Sequence, residues 1–178
     1  MILVGIGANL PAEHYESPLA TCLAAINEFP KHGIAVRAVS PWYRSAPVPM
    51  SEQPWYVNAV LEVETTRSPE DLMGKLHDVE AVFGRVRGER NAARVLDLDL
   101  LDFEGRTSAV DTWPVLPHPR VTERAFVLYP LRDIAPNWRL SGGSRTIDEL
   151  IAALPPGQSL QAIPMSGVEQ AAANLKSI

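Results

Sequence analysis

In the segment Leu96-Asp97-Leu98-Asp99-Leu100-Leu101, acids alternate with leucines. An extended chain sends successive side chains to opposite faces, so Asp97 and Asp99 share one face and Leu96, Leu98 and Leu100 take the other. Like charges side by side repel, and the pair is readily tolerated only with a cation between them. A hard divalent ion, Mg²⁺, is the simplest choice. Just upstream, Arg85, Arg87, Arg90 and Arg94 place four arginines within ten residues, around Gly88 and without an apolar period. That stretch reads as a mobile cationic arm. Carboxylates for a metal beside a basic arm make a site for a polyphosphate. The plainer alternative is a solvated acidic face whose arginines are its salt-bridge partners.

Three further groups could take part. Tyr56 and Asn58 fall on the same face of an extended run, Trp55 to Glu64, where an aromatic and an amide can stack on and hydrogen-bond a planar ligand. The competing reading has Tyr56 capping the core and Asn58 facing water. His118 stands between two prolines in Leu116-Pro117-His118-Pro119-Arg120, a rigid loop that favours a ligand-facing role over a core one. Gly5-Ile6-Gly7-Ala8-Asn9 has the start of a phosphate-binding glycine loop but lacks its third glycine, so close backbone packing is the preferred account. Cys22, the single cysteine, lies in an apolar helical stripe and reads as a small core residue.

The elements that must hold these groups follow from pattern. Ile2 to Ala8 is a short apolar run and predicts a buried strand. Ser17-Pro18 supplies an N-cap and an N1 proline for a helix over about 18–29. Ile34 to about Tyr43 predicts a second strand, and a proline-rich surface loop from Arg44 to Pro54 leads into a third, Trp55 to Glu64. Ser68-Pro69-Glu70-Asp71 starts a second helix that runs to Gly84 and delivers the chain into the arginine arm. The acidic strand comes next, then a weaker extended stretch over about 108–115, and a short helix from Ile147 to Leu154. Ala171 to Leu175 reads either as a terminal helix or as a frayed end, within a loosely attached tail over 155–178. Strand, helix, strand, strand, helix, strand is the split βαβ order, so the expected class is α+β: a ferredoxin-like βαββαβ core with additional C-terminal elements, one domain over 1–178.

The 178 residues are enough for one domain with a sizeable core, and 46% hydrophobic with 21% charged content is ordinary for a globular chain. A net charge of −5 argues against a general nucleic-acid binder. The N-terminus lacks a basic stretch before its apolar run, and no apolar run reaches the ~20 residues a bilayer span needs. The expected setting is the cytoplasm, with no nucleic-acid or membrane partner.

Taken together, these pieces resemble the 6-hydroxymethyl-7,8-dihydropterin pyrophosphokinases of folate biosynthesis, which move a diphosphate from ATP to a pterin alcohol. The resemblance runs over residues 2 to 136. It is carried by Gly5-Ile6-Gly7-Ala8-Asn9-Leu10, Tyr43-Arg44-Ser45-Ala46-Pro47, Gln53-Pro54-Trp55-Tyr56-Val57-Asn58-Ala59 and Gly84-Arg85-Val86-Arg87. The Leu96-Asp97-Leu98-Asp99 block, followed by Pro117-His118-Pro119-Arg120 and Arg124-Ala125-Phe126, makes it specific.

The resemblance implies that Asp97 and Asp99 hold two Mg²⁺ ions against ATP, the co-substrate. It implies ATP contacts from Arg85, Arg87, Arg90, Arg94, Leu100, His118 and Arg124, with Arg85, Arg94, Asp97 and Asp99 as the catalytic set. A pterin is expected between Tyr56 and Phe126, its polar edge read by Asn58 and by the loop around Ser45, Ala46 and Val48. Glu80 is expected behind the arm as its support, and the enzyme as a monomer. Many members carry Arg-Trp-Gly-Pro-Arg before the acidic strand, in an arm one residue longer. Here Arg90-Asn91-Ala92-Ala93-Arg94 stands instead, which implies the same chemistry beneath a less sealed arm. Two other readings compete: an RNA-binding module, opposed by the acidic balance, and a metal-dependent glycosyltransferase, which needs a larger nucleotide domain.

Overall fold

A computed structural model describes residues 1–85, 93–109 and 111–175. Arg87 and Arg90 lie outside the described residues. The elements run β1 (Ile2–Ala8), α1 (Pro18–Glu28), β2 (Ala35–Val39), β3 (Tyr43–Ser45), β4 (Tyr56–Glu64), α2 (Pro69–Val82), β5 (Asp97–Phe103), α3 (Ala125–Ile134), α4 (Ile147–Ala152), β6 (Leu160–Ala162) and α5 (Met165–Leu175). The sheet is antiparallel in the order β5-β1-β4-β3-β6, with β2 also paired to β4. This is the α+β, ferredoxin-like arrangement: each crossover helix leaves room for one strand between the two it joins.

Both helix starts read from the sequence are capped as expected. The Ser17 hydroxyl accepts the N–H of Ala20 at 3.1 Å, and that of Ser68 accepts the N–H of Asp71 at 3.2 Å. Both faces of the sheet are buried. On one, Leu19, Cys22, Leu72, Leu76 and Val79 of α1 and α2 pack on Val4, Ile6, Leu61, Leu96 and Leu98. On the other, Val127, Leu128, Leu131 and Leu150 of α3 and α4 pack on Leu3, Val60 and Leu101. Cys22 is fully enclosed, and burial pushes its thiol far above the ordinary range, as suits a core residue.

The structure departs from the sequence reading in several places. The second strand is broken into β2 and β3 at Ser40-Pro41, where proline cannot donate to a ladder. Ser40 bridges the gap: its N–H reaches the Val60 carbonyl and its hydroxyl accepts the Val60 N–H, both at 3.0 Å. No strand forms over 108–115 among the described residues. Ser108 instead folds this stretch on itself, donating its hydroxyl to the Pro114 carbonyl and accepting the Leu116 N–H, each at 2.7 Å. Of the segment read as a tail, β6 adds to β3, and Val168 and Ala171 of α5 pack against the α1 side of the core.

β5 carries a bulge. Its register against β1 shifts between Leu3 and Val4, which pair with Asp102 and Leu100. The extra residue turns both Leu101 and Asp102 toward the α3 side. There the buried Asp102 accepts the Trp138 indole N–H and the Gly105 N–H, both at 2.8 Å. The Leu101 carbonyl accepts the His118 N–H at 2.9 Å, so the bulge also fixes the Pro-His-Pro loop.

Candidate active site

Alternation on β5 does what period two requires. Leu96, Leu98 and Leu100 are in the core, while Asp97 and Asp99 line a cavity on the α3 face. Opposite them on β1 stand glycines: Gly7 is in register with Asp97 and Gly5 with Asp99. On the far side of β1, Gly7 pairs with Asn58 of β4. A β-carbon at Gly7 would lie 2.9 Å from the Asn58 side-chain oxygen, so the missing side chain is what lets the amide lie over the strand. The packing account of the glycine segment is therefore the one observed, since these glycines sit within β1 and α1 begins only at Pro18.

Asn58 is buried and does not face water. Its amide donates to the Ser45 hydroxyl at 2.9 Å, tying β4 to the end of β3. Tyr56 and Phe126 line the same cavity, as do Ser45, Ala46 and Val48 of the proline-rich loop. All six residues expected at a planar substrate thus converge. Burial raises the Tyr56 phenol above its ordinary value, opposed by the nearby Arg94 charge.

The charged half of the cavity is built from carboxylate and guanidinium pairs. Asp97 is bracketed by Arg85, 2.7 Å from its Oδ1, and by Arg94 on its Oδ2. Asp99 faces Arg124 at 3.4 Å and His118 at 3.8 Å. Arg124 also stands over the Phe126 ring, 5.5 Å from its centroid, joining the charged half to the aromatic one. Burial lowers the His118 pKa despite the opposing Asp99 charge, and its Nδ1 accepts the Arg120 backbone N–H at 3.1 Å. Behind the cavity, the buried Glu80 pairs with Arg85 and accepts the Leu98 N–H at 2.8 Å. Leu100 is not brought to the cavity, because its side chain points into the core on the opposite face.

Among the described residues no three His, Cys, Asp or Glu side chains gather into a metal cage. Two neighbouring carboxylates in a cavity walled by arginines fit an ion that completes its shell with water and substrate oxygens. That is how Mg²⁺ is held at nucleotide sites.

Residues 3–136 match the family model described as 7,8-dihydro-6-hydroxymethylpterin-pyrophosphokinase (HPPK). The chain belongs to this family. Similar curated proteins include the 2-amino-4-hydroxy-6-hydroxymethyldihydropteridine pyrophosphokinase of Pseudomonas aeruginosa, 41% identical over 86% of this chain and 91% of that one. Another is the protein of the same name from Methylorubrum extorquens, 39% identical over 86% of this chain and 92% of that one. A solved HPPK-DHPS from Plasmodium falciparum superposes with TM-score 0.60 at 12% identity, over 85% of this chain. This chain spans 43% of that longer one, and the likeness speaks for the fold. HPPK-family membership makes the chain an ATP-dependent pyrophosphokinase of folate biosynthesis.

Two residues around this cavity escaped the sequence reading. Asn9, buried just beyond β1, accepts the Arg94 N–H at 2.7 Å, while the Arg94 carbonyl accepts the Asn9 N–H at 3.0 Å. Its amide reaches Gln53 Oε1 at 3.1 Å and the Pro54 carbonyl at 3.3 Å. One side chain thus straps the root of the arm to the proline-rich loop. Arg120 also lines the cavity, and its place in Pro-His-Pro-Arg was the only sign of it. No helix among the described residues is long and apolar enough to cross a membrane.

Proposed function

We propose that this chain transfers the terminal diphosphate of ATP to the hydroxymethyl oxygen of 6-hydroxymethyl-7,8-dihydropterin, and that Asp97 and Asp99 hold two Mg²⁺ ions for the purpose. The observation that carries the reading is one cavity with two ends. A carboxylate pair bracketed by guanidiniums adjoins a slot of Tyr56, Asn58 and Phe126.

The alcohol oxygen bonds to the β-phosphorus as the bond from that phosphorus to the α-bridging oxygen breaks. The electron pair stays with AMP, and the alcohol proton leaves to water. Little covalent help is needed from protein, so rate comes from position and charge. Asn58, held by Ser45, reads the polar edge of the ring and fixes its rotation, while Tyr56 and Phe126 set its plane. Arg85 and Arg94 brace phosphate oxygens through planar, permanently charged forks that lysine reproduces poorly. His118 and Arg124 donate from the Asp99 side. Mg²⁺ at Asp97 and Asp99 would supply charge neutralisation on the phosphates and ease loss of the alcohol proton. By family resemblance the enzyme is read as a cytoplasmic monomer.

The test is product identity. Purified protein with ATP, Mg²⁺ and the pterin alcohol should give AMP, and no AMP when pterin or metal is withheld. Formation of ADP or free phosphate in place of AMP would sink the assignment.

A further inference from the structure

Among the described residues, Arg120 is a cavity-lining guanidinium that stands outside the ion pairs of Glu80, Asp97 and Asp99. Three carboxylates, Glu80, Asp97 and Asp99, are matched by three guanidiniums, Arg85, Arg94 and Arg124. The described part of the cluster is balanced without Arg120. Its side-chain contact is with Glu123 at 3.4 Å, three residues on, with both groups about half exposed at 46% and 57%. Such a pair contributes little and is readily exchanged for a stronger anion. Meanwhile its charge bears on both His118 and Arg124, the groups that face Asp99. Arg120 and Arg124 both line the cavity, and two guanidiniums close enough to feel one another are favoured by an anion between them.

The reaction itself supplies that anion. When the alcohol proton is lost to water, AMP and the pterin diphosphate together carry one more negative charge than ATP and the alcohol did. Resting on the reaction proposed above, we propose that Arg120 clasps the diphosphate once it is on the pterin, taking up the charge gained in transfer. Its backbone suits the role: the Arg120 N–H is fixed on His118 Nδ1 at 3.1 Å, so the side chain starts from a rigid turn, and Arg120 lines the same cavity as Phe126. Arg120 therefore discriminates product from substrate, binding the diphosphate ester and not the free alcohol.

The experiment is calorimetric titration of the wild type, Arg120→Ala and Arg120→Lys with synthetic pterin diphosphate and, separately, with the pterin alcohol. Arg120→Ala should weaken the diphosphate by about tenfold or more, as loss of a charge-assisted contact does, and leave the alcohol unchanged. Arg120→Lys, which keeps the charge but loses the fork, should fall between. Equal weakening of both ligands, or of neither, overturns the assignment of Arg120. Absence of AMP formation by the wild type overturns the reaction instead, so the two failures are told apart.

Discussion

Glu80 and Leu98 are joined across the back of the site: the buried carboxylate accepts the Leu98 N–H at 2.8 Å and pairs with Arg85. β5 is an edge strand of the sheet, and an edge presents backbone donors that need partners. Glu80 satisfies one of them between the two aspartates, so α2 sets where Asp97 and Asp99 stand. Glu80→Ala should lower stability by about 2–4 kcal/mol, since it leaves a buried donor unpaired and takes a buried partner from Arg85. Glu80→Gln keeps an acceptor for Leu98 and should recover most of that loss in urea denaturation, yet still turn over more slowly because Arg85 loses its ion pair with the Glu80 carboxylate. Equal stability of the two variants would contradict this division of roles.

Asp97 and Asp99 are expected to dominate catalysis. Asp97→Asn and Asp99→Asn should each lower AMP formation by about a thousandfold or more, because an amide neither neutralises nor orients a divalent ion as a carboxylate does. Folding should survive, for Asn keeps the shape on a strand whose other face is core. Near-normal turnover in either variant would remove the metal role.

What was legible in the chain was what depends on neighbours in sequence. Period two exposed the Asp97 and Asp99 pair, and Ser68-Pro69 marked the start of α2. The contacts that finish the site depend on residues far apart. Asn9 meets Arg94 only because β1 and β5 are adjacent. Leu101 and Asp102 turn to one side only because a bulge interrupts that pairing. β6 carries too few residues to show a period, and its place is set by the edge that β3 offers. Family position gives Leu100 to the nucleotide, while the alternation around it sends its side chain to the core.

Asn9 straps the arm's root to the proline-rich loop, so its removal should loosen both substrates. Asn9→Ala should raise KM for ATP and for the pterin together, each by about tenfold, as buried hydrogen bonds worth about 1–3 kcal/mol are lost. Steady-state kinetics with each substrate varied in turn would read this. A change confined to one substrate would show that the strap does not couple the loops.

Phe126 forms one wall of the slot and lies beneath Arg124. Phe126→Ala should weaken the pterin by about tenfold, the loss of an aromatic contact with its buried area, and change ATP affinity much less. Phe126→Trp should retain most of the binding. Unchanged pterin affinity in the alanine variant would refute the stacking role.

Tyr43 ties β3 to α3 by donating its hydroxyl to Asp133 Oδ2 at 2.5 Å. Burial first, and then the Asp133 hydrogen bond, raise its phenol from the ordinary 10 to about 12. A raised folded value means the stabilisation is fully present below the unfolded value near pH 10 and is lost as pH climbs toward about 12. In that window the unfolded chain has released the proton that the folded chain still holds, so stability falls with rising pH. Tyr43→Phe removes both the hydroxyl and its titration. The stability gap between wild type and Tyr43→Phe should therefore shrink between about pH 9 and about pH 11 in urea denaturation. A gap that stays constant over that range would show that the phenol does not titrate with unfolding.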